Sequence, residues 1–337
     1  MKKIIFYSPT YFVGGTEVAI LNLVKKIKED YDIYIGYSDE QSDKEMLKRF
    51  EGYAKVVNTN MLDNIYFDVL ITATKRYEHI DILDKIKAKK NILWVHWLSS
   101  LDKSVLIHKE ACDRFDNIVI VSKTSEKELE TKIPYIKEKL NTIYNVINIE
   151  EIIEKSKVPI KLDLSKKLNL VTVARISKEK GYYRMLELAK YLKEKQIDFK
   201  WFVIGHNFNN KESADEIIKQ YEPYKENFEF LGFLNNPHNI VKQCDYTVLL
   251  SDAETWGLVL TEAMLLKVPC ISTDFKVAYE QIQDGKNGII LSRANTESYL
   301  DRIDDIVNNK EKYKKAVESY IYDNEQVIKE WKDLLDK

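Results

Sequence analysis

The sequence predicts an α/β protein made of two doubly wound, Rossmann-like domains that face a central cleft. Two observations lead to this prediction. Short apolar runs alternate with amphipathic helical patterns along most of the 337 residues, and a chain of this length is long enough for two domains. The runs are continuous and do not alternate between apolar and polar residues, which is typical of parallel strands covered on both faces.

The first αβ series occupies residues 1–150. A helix is predicted over residues 17–28, with Thr16 as its N-cap and apolar side chains along one face. A basic cluster at residues 85–90 is interpreted as a solvated helix end, with a patch for anionic lipid as the alternative. The predicted strands cover residues 4–7, 33–37, 68–72, 92–95, 118–121 and 142–144.

The pattern breaks at residues 151–167, where a charged stretch is followed by Pro159 and polar residues, and we place the interdomain linker there. A second series follows over residues 168–318, and the final segment, 319–337, contains a predicted helix. In sheets of this kind, ligands bind at the carboxyl ends of the strands. The strands predicted for the second series cover residues 170–173, 201–204, 228–231, 247–250, 270–272 and 288–291.

Composition excludes several classes of protein. With 45% hydrophobic residues, 31% charged residues and a net charge of −2, the chain is neither disordered nor basic enough to suggest nucleic acid as a partner. Cys112, Cys244 and Cys270 lie far apart, with neither a metal-binding spacing nor a disulfide framework, which fits a reducing cytoplasm. The apolar run after Met1 is too short for a signal peptide, and no stretch reaches the roughly 18–20 apolar residues of a membrane span.

The most informative segment is SDAETWGLVLTEAM, residues 251–264, which follows an apolar run that predicts a buried strand. Glu254 is expected on a strand-to-helix loop, Glu262 inside the following helix, and Gly257 near the start of that helix. Free backbone N–H groups and the helix dipole at such a start favour an anion. A carboxylate beside this helix start suits a ligand that is part sugar and part diphosphate.

Each of the two series has a further candidate loop after its first strand. Gly14 and Gly15 allow close approach of backbone N–H groups to a phosphate, although a tight turn explains them equally well. They do not form the G-x-G-x-x-G fingerprint, which argues against a nicotinamide enzyme. Arg175 and Lys180 flank the corresponding loop of the second series, and an Arg fork with a Lys point charge can hold a diphosphate without metal. Ordinary surface charge is the alternative, and we accept it for Lys178.

Three other features carry weaker signals. His96 lies where a predicted strand opens into the cleft, but its position alone does not distinguish a site residue from a core histidine. His206 either lines the cleft or is a loop residue. Asp30 and Asp32 formally match an Asp-x-Asp metal pattern, but they fall at the wrong end of the sheet and are interpreted as surface residues.

Together these segments resemble the family 4 retaining glycosyltransferases of GT-B fold, the glycosyl transferases group 1. The match covers most of the second half and is punctuated in the first. Trp256 and Lys267 depart from the residues common in that family, which leaves the sugar and the local loop shape open. The motifs that carry the resemblance are Ala174-Arg175-Ile176 with Lys180-Gly181, Phe202-Val203-Ile204-Gly205, Phe230-Leu231-Gly232-Phe233, the Glu254/Glu262 pair and Gln283-Asp284-Gly285-Lys286-Asn287-Gly288 in the second half, and Gly14-Gly15-Thr16-Glu17, His96, Val121-Ser122 and Tyr144-Asn145-Val146-Ile147 in the first.

The resemblance implies a role for each matching residue. Arg175 and Lys180 would bind the donor diphosphate and neutralise the leaving nucleotide. Glu262 would accept hydrogen bonds from the ribose hydroxyls, Glu254 would contact the hydroxyls of the donor sugar, and His96 would touch the transferred sugar. Backbone contacts to the donor are expected from Gly14, Gly15, Gly205, Gly257, Leu258 and Val259. Apart from the resemblance, Tyr11, Phe12 and Trp97 are candidates for acceptor contact, although aromatic side chains near a cleft are often packing residues.

The implied activity is a retaining, hexosyl-type transfer from a nucleotide-diphosphate sugar, with UDP favoured, to the hydroxyl of a glycan or lipid-linked acceptor in bacterial surface-polysaccharide synthesis. The first domain would bind the acceptor, and the last helix would cross back onto that domain. No cofactor or metal is expected. The protein would be cytoplasmic, with peripheral contact to the inner membrane face left open. A sugar-nucleotide epimerase of the same architecture and a non-catalytic homologue that binds a nucleotide sugar are the alternatives.

Overall fold

The structure is a computed structural model, and it describes residues 1–12, 14–39, 41–62, 65–73, 77–97, 104–207 and 210–337. The chain divides into two compact units. The first unit consists of Met1–Ile147 together with Asp323–Lys337, and the second unit is Asn148–Tyr322. The polypeptide therefore leaves the first unit once and returns to it near its last helix.

A parallel sheet forms the centre of the first unit. Within the described ranges its strands are β1 (Lys3–Tyr7), β2 (Asp32–Tyr37), β3 (Lys55–Asn58), β4 (Tyr66–Thr72), β5 (Lys87–Val95), β6 (Asn117–Ile120) and β7 (Leu140–Thr142). Their order is β3-β2-β1-β4-β5-β6-β7, and every neighbouring pair is parallel. The apolar runs at the centres of the long strands are buried, which is why continuous hydrophobicity predicted them.

Helices connect these strands and cover the sheet. They are α1 (Gly15–Ile27), α2 (Lys44–Lys48), α3 (Ile82–Lys85), α4 (Lys109–Cys112) and α5 (Lys123–Lys132). The prediction that Thr16 caps α1 is wrong, because the helix begins at Gly15 and Gly14 is the N-cap. The carbonyl of Gly14 accepts the first intrahelical hydrogen bond, from the backbone N–H of Val18 at 3.1 Å.

The basic cluster at residues 85–90 is only partly a helix end. Lys85 is the last residue of α3, but the following lysines belong to β5. That strand extends the predicted one by five residues, because Lys87 pairs with Tyr66 of β4 and Lys90 pairs with Val69. Lys87 is exposed, so its charge stays in solvent while the backbone joins the sheet.

The second unit repeats this design. Its strands, in the part of the chain that is described, are β8 (Leu168–Val173), β9 (Phe199–Ile204), β10 (Phe228–Gly232), β11 (Tyr246–Leu249), β12 (Cys270–Thr273) and β13 (Gly288–Leu291). They form a parallel sheet of order β10-β9-β8-β11-β12-β13. The helices are α6 (Ile149–Ser156), α7 (Tyr182–Glu194), α8 (Lys211–Lys219), α9 (His238–Val241), α10 (Leu258–Leu265), α11 (Ala278–Gln281), α12 (Ile303–Asn308) and α13 (Lys310–Val317).

The predicted linker over residues 151–167 differs from what the structure contains there. Its first part lies in α6, which belongs to the second unit, and the boundary between the units falls earlier, between Ile147 and Asn148. The charged residues that suggested a linker pair along the helix instead, as in the 2.7 Å contact between Lys155 Nζ and Glu151 Oε1. Ile152 supplies the buried side chain of this helix.

The last helix, α14 (Asn324–Asp336), belongs to the first unit. Trp331 is fully buried, and its ring meets that of Trp94 on β5 edge to face at a centroid distance of 4.6 Å. At the start of the helix, the backbone N–H of Ile147 donates to Asn324 Oδ1 at 2.9 Å. At its end, Lys90 Nζ donates to the carbonyl of Leu334 at 2.6 Å, a favourable place for a cation because free carbonyls and the helix dipole point there.

Each sheet has one place where neighbouring strands send their connections in opposite directions. In the first unit this switch point lies between β1 and β4, and in the second unit between β8 and β11. Loops that leave the carboxyl ends of the two strands flank a crevice there, which is where doubly wound sheets bind ligands. In the described part of the chain, no helix is both long and apolar enough to cross a membrane.

Candidate functional site

Two loops of the second unit meet at the switch point between β8 and β11. The loop after β8 carries Arg175 and Lys180, and the loop after β11 carries Glu254. The backbone N–H of Asp252 donates to the carbonyl of Glu179 at 2.8 Å, so the two loops are joined directly. The topology of the sheet thus brings together side chains that are more than seventy residues apart in sequence.

Two glycines permit this close packing of loops. Gly181 has φ = 72°, and a Cβ atom there would lie 1.8 Å from the carbonyl oxygen of Leu250 at the end of β11. Gly205, which the sequence predicted as a donor contact, has φ = 153°, and a Cβ atom there would lie 1.8 Å from the carbonyl oxygen of Ala174. Both positions therefore require glycine for structural reasons. The contact predicted for Gly205 stays a prediction.

Lys180 and Glu254 form an ion pair at this crevice. Lys180 Nζ lies 2.7 Å from Glu254 Oε1, and the hydroxyl of Ser251 donates to the same oxygen at 2.7 Å. The side chains of Lys180 and Glu254 are 20% and 14% exposed, so the pair is mostly removed from solvent but still open at one side. A pair in this position can exchange partners with a ligand that offers both hydroxyl groups and negative charge.

Arg175 occupies a separate ion pair on the same loop. Its Nη2 atom lies 2.5 Å from Glu179 Oε1, and both side chains are about half exposed. Burial raises the pKa of Glu179, but hydrogen bonds from Ser177, from its own backbone and from Arg175 outweigh this effect and hold the pKa below its ordinary value. The carboxylate of Glu179 therefore stays charged and holds the guanidinium of Arg175 at the crevice.

The loop after β11 leads directly into α10. Gly257 is the N-cap of this helix, and Leu258 and Val259 are its first two helical residues. Backbone N–H groups in the first turn have no partner within a helix, so this end of α10 favours an anion. The structure thus places the three predicted backbone contacts at a helix N-terminus, as the sequence indicated.

The start of α10 is fixed by buried hydrogen bonds. The indole N–H of Trp256 donates to Thr261 Oγ1 at 2.9 Å, and the carbonyl of Trp256 accepts a hydrogen bond from Gln281 Nε2 at 2.5 Å. Trp256 is 6% exposed, so it is part of the support for the loop and not a surface for the ligand. Trp256, one of the two departures from the pattern of the resembled family, thus has a supporting role in this loop.

Glu262 lies on α10, as predicted, and its partner is a residue that the sequence analysis did not single out. Glu262 Oε2 lies 3.2 Å from Nε2 of His238, the first residue of α9. The two side chains are 22% and 12% exposed. No motif contains His238, and the 24 residues that separate it from Glu262 hide the pairing from any analysis of spacing.

Two arginines that sequence reasoning also missed support the loop that carries Glu254. Arg184 Nη1 donates to the carbonyl of Leu250 at 3.1 Å and lies 2.7 Å from Asp252 Oδ1. Arg293 Nη1 donates to the backbone carbonyl of Asp252 at 2.5 Å. Arg184 is 4% exposed, so its charge serves to hold these loop oxygens.

In the first unit, the predicted glycine loop ends at the start of α1. Gly14 is the N-cap of this helix and Gly15 is its first residue. The carboxylate of Glu17 folds back toward Gly14, so that a Cβ atom there would lie 2.8 Å from Glu17 Oε2. Burial raises the pKa of Glu17 to about 7, although backbone N–H groups of Glu17 and Phe12 oppose the shift. The carboxyl beside this loop is therefore close to half protonated near neutral pH.

His96 and Trp97 directly follow β5, at the carboxyl end of its sheet. The rings of His96 and Trp94 lie 4.4 Å apart between centroids. Burial lowers the pKa of His96 to about 3, so the imidazole is neutral at pH 7 and can act only as a neutral donor or acceptor. Trp97 packs against the hydrophobic core of the first unit.

The prediction that the side chain of Tyr11 contacts the acceptor is wrong. Tyr11 is fully buried, its hydroxyl donates to the carbonyl of Phe6 at 3.2 Å, and its ring packs edge to face on Phe50 at 5.6 Å. Although Tyr11 lies on the loop that follows the carboxyl end of β1, its side chain points back into the core. Phe12 is 37% exposed and remains a candidate.

The interpretation of Asp30 and Asp32 as surface residues agrees with their partners. Asp30 Oδ2 lies 2.8 Å from Lys332 Nζ, and Asp32 Oδ1 lies 2.8 Å from Lys55 Nζ. Each carboxylate is thus used in a separate ion pair. Within the described ranges, no group of three His, Cys, Asp or Glu side chains is placed to hold a metal ion.

Comparisons with known proteins identify relatives of this chain. Residues 154–321 match the family model described as Glycosyl transferases group 1. The uncharacterized glycosyltransferase MJ1178 of Methanocaldococcus jannaschii is 24% identical over an alignment 337 residues long, which covers 92% of this chain and 90% of the relative. The O-antigen biosynthesis glycosyltransferase WclY of Escherichia coli is 23% identical over 302 residues, which cover 79% of this chain and 78% of the relative.

Among solved structures, the chain resembles Anabaena Alr3699/HepE, crystallised in complex with UDP and glucose. The TM-score is 0.82 at 16% identity, and the match covers 100% of both chains. At an identity this low, the likeness shows the fold alone. With the two parallel sheets described above, this likeness confirms the predicted fold class, a GT-B fold of two Rossmann-like domains.

Proposed function

We propose, from the premise that this chain is related to glycosyltransferases and carries a Glycosyl transferases group 1 domain at residues 154–321, that it is a retaining glycosyltransferase of family 4. It transfers a sugar from a nucleotide-diphosphate donor, bound by the second unit, to an acceptor hydroxyl. The observation that carries the proposal is the Lys180–Glu254 ion pair beside the N-terminus of α10.

Each group at this crevice matches one part of such a donor. Lys180 and the guanidinium of Arg175 supply positive charge for a diphosphate, and the first turn of α10 supplies backbone N–H groups. Glu254 accepts hydrogen bonds from sugar hydroxyls once a phosphate draws Lys180 away. Glu262, four residues into α10 from Leu258, accepts hydrogen bonds from the ribose.

The chemistry proposed is substitution at the anomeric carbon. The bond from this carbon to the leaving phosphate oxygen breaks, and a bond to the acceptor oxygen forms on the same face of the sugar. The acceptor proton passes to the leaving phosphate, so no protein nucleophile is required. Negative charge grows on the diphosphate in the transition state, where Lys180 and Arg175, already on the phosphates of the bound donor, stabilise it.

For the donor base we propose uracil, and for the acceptor a growing polysaccharide or its lipid-linked intermediate. The structure of Anabaena Alr3699/HepE in complex with UDP and glucose supports a UDP-sugar donor, since its fold is the same. The name of the Escherichia coli relative, an O-antigen biosynthesis glycosyltransferase, supports a polysaccharide product. Phe12 and Trp97, beside the switch-point loops of the first unit, are the proposed acceptor contacts.

The first test is thermal unfolding with saturating UDP, GDP, ADP or CMP, each added alone. A ligand at about 100 times its dissociation constant adds roughly 2.7 kcal/mol of stability. For units of this size that raises the midpoint by about 5–10 °C. We expect UDP to give the largest shift, and a protein that responds to none of the four contradicts the donor site.

The second test is transfer from UDP-sugars, with the anomeric configuration of the product read by NMR. Product with the donor's configuration supports retention, and the opposite configuration contradicts it. The same sugar nucleotide incubated without acceptor is the control. A new nucleotide sugar formed there would instead identify an epimerase.

A further inference from the structure

We infer that His238 is a positioning residue for the donor site. It holds the carboxylate of Glu262 in the orientation that accepts hydrogen bonds from the ribose hydroxyls. In this way it sets the preference for a ribose nucleotide over a deoxyribose nucleotide. The inference rests on the proposed function, because it takes a nucleoside diphosphate as the ligand of this crevice. It adds a residue from α9, an element that no motif in the sequence connects with the donor.

The contact itself supplies the first argument. His238 Nε2 lies 3.2 Å from Glu262 Oε2, and the histidine side chain is only 12% exposed. The other ring nitrogen, Nδ1, is buried without a hydrogen-bond partner in the described part of the chain. A proton on Nδ1 would be unsatisfied there, which favours the tautomer with its proton on Nε2. In that form His238 donates to Glu262.

The packing of α9 against α10 supplies the second argument. Four residues after His238, Lys242 Nζ donates to the carbonyl of Leu266 at 2.8 Å, and Leu266 lies four residues after Glu262. Two contacts, one helical turn apart on both helices, therefore fix the two elements side by side. Because both contacts act together, His238 cannot shift along α10 without breaking the contact of Lys242.

The other side of α9 is anchored as well. Asn239 Nδ2 donates to the carbonyl of Val158 at 3.2 Å, and Asn236 Nδ2, just before the helix, donates to the carbonyl of Lys155 at 2.9 Å. Ile240 is fully buried. The imidazole is thus presented to Glu262 from a rigid support, the arrangement by which a supporting residue orients a ligand-binding carboxylate.

The consequence concerns how Glu262 can be used. A glutamate side chain at 22% exposure has several rotamers open to it, and each rotamer directs its oxygens differently. A donor fixed on Oε2 selects one of them and leaves Oε1 and the remaining lone pair of Oε2 for ribose hydroxyls. Loss of that donor should weaken the recognition of the ribose hydroxyls more than that of the diphosphate.

The experiment compares dissociation constants for UDP and 2′-deoxy-UDP by calorimetry in the unaltered protein and in His238→Asn, His238→Gln and Glu262→Gln. Glutamine can place its amide nitrogen where Nε2 stands, whereas asparagine is too short to reach Glu262. We expect the unaltered protein and His238→Gln to prefer UDP by about tenfold or more, as loss of a hydrogen bond to a charged group implies. In His238→Asn and Glu262→Gln the preference should fall to about twofold or less.

A matched control is available in the first unit, where His108 Nδ1 lies 3.6 Å from Glu110 at an exposed surface. His108→Asn should keep the full preference for UDP. A purely structural role for His238 predicts a lower unfolding midpoint in His238→Asn with an unchanged preference, and that result would overturn the inference. Failure of the unaltered protein to bind either nucleotide would instead overturn the proposed function, and an unchanged preference in Glu262→Gln would overturn the ribose assignment on which the inference stands.

Discussion

Replacing Lys180 by methionine should lower both stability and turnover, and the structure allows the two effects to be separated. The substitution leaves Glu254, 14% exposed, with the hydroxyl of Ser251 but without its cation. A hydrogen bond to a charged group is worth about 1.5–3 kcal/mol, and breaking a fully buried pair costs about 3–5 kcal/mol. For a pair that is open on one side, we expect a loss of about 2 kcal/mol.

The assay is a double-mutant cycle by urea denaturation without ligand, with Lys180→Met, Glu254→Gln and the double variant. Glu254→Gln should cost about 1 kcal/mol, because Lys180, at 20% exposure, can turn toward water. The double variant should cost roughly 1–2 kcal/mol less than the sum of the two single variants. Additivity within about 0.5 kcal/mol would refute the reasoning, because it would mean that the two charges do not interact.

Turnover is measured in the same variants at a temperature well below their unfolding midpoints. Lys180→Met should reduce the rate of sugar transfer about 100–1000-fold, the usual effect of removing one group that stabilises a developing anion. The matched control is Lys178→Met, two residues earlier on the same turn, where the side chain is exposed. It should change neither stability nor rate by more than about 0.5 kcal/mol.

Four further outcomes are expected from urea denaturation. Gly181→Ala should cost at least about 2 kcal/mol because its Cβ would meet a backbone oxygen, whereas Gly52→Ala, also at positive φ but with open space around it, should cost only about 1 kcal/mol. Trp331→Ala should cost about 3–5 kcal/mol, and a loss below about 1 kcal/mol would show that the last helix is not docked. The folded pKa of Glu17, about 7, lies above its ordinary 4.5, so Glu17 contributes on the order of 3 kcal/mol to stability at low pH, and this contribution is lost between about pH 4.5 and 7. Glu17→Gln should remove this fall. His96 has the opposite sign, since its folded pKa of about 3 lies below the ordinary 6.5, so His96→Gln should remove a loss of stability that develops as the pH falls below 6.5.

The long buried strands were predictable from the sequence because their apolar runs are continuous, but the edge of the first sheet was not. The strand Lys55–Asn58 is short and only partly buried, so its hydrophobic signal is weak. The helix Ile149–Ser156 was mistaken for part of a linker because it buries a single side chain, Ile152, and is otherwise charged. In both cases tertiary pairing, with a neighbouring strand or a neighbouring helix, supplies what the local sequence lacks.

The candidate site was predictable to the extent that it follows from topology. These three residues, Arg175, Lys180 and Glu254, lie on loops that follow buried strands, so the position of those strands in the sheet brings the loops together. The pairing of His238 with Glu262 was not predictable, because α9 carries no motif and its position on α10 depends on packing. The error at Tyr11 has the same origin, because a loop position does not tell which way a side chain points.

The return of α14 to the first unit has a consequence for synthesis on the ribosome. Residues 148–322 form the second unit as one uninterrupted segment, so all of its contacts are available as soon as that segment has been made. Trp94 is translated early, but it cannot bury its ring against Trp331 until 237 further residues have been added. The first unit is therefore synthesised first but completes its core last, because part of that core stays open until the last helix has been made. The second unit is able to fold completely before then.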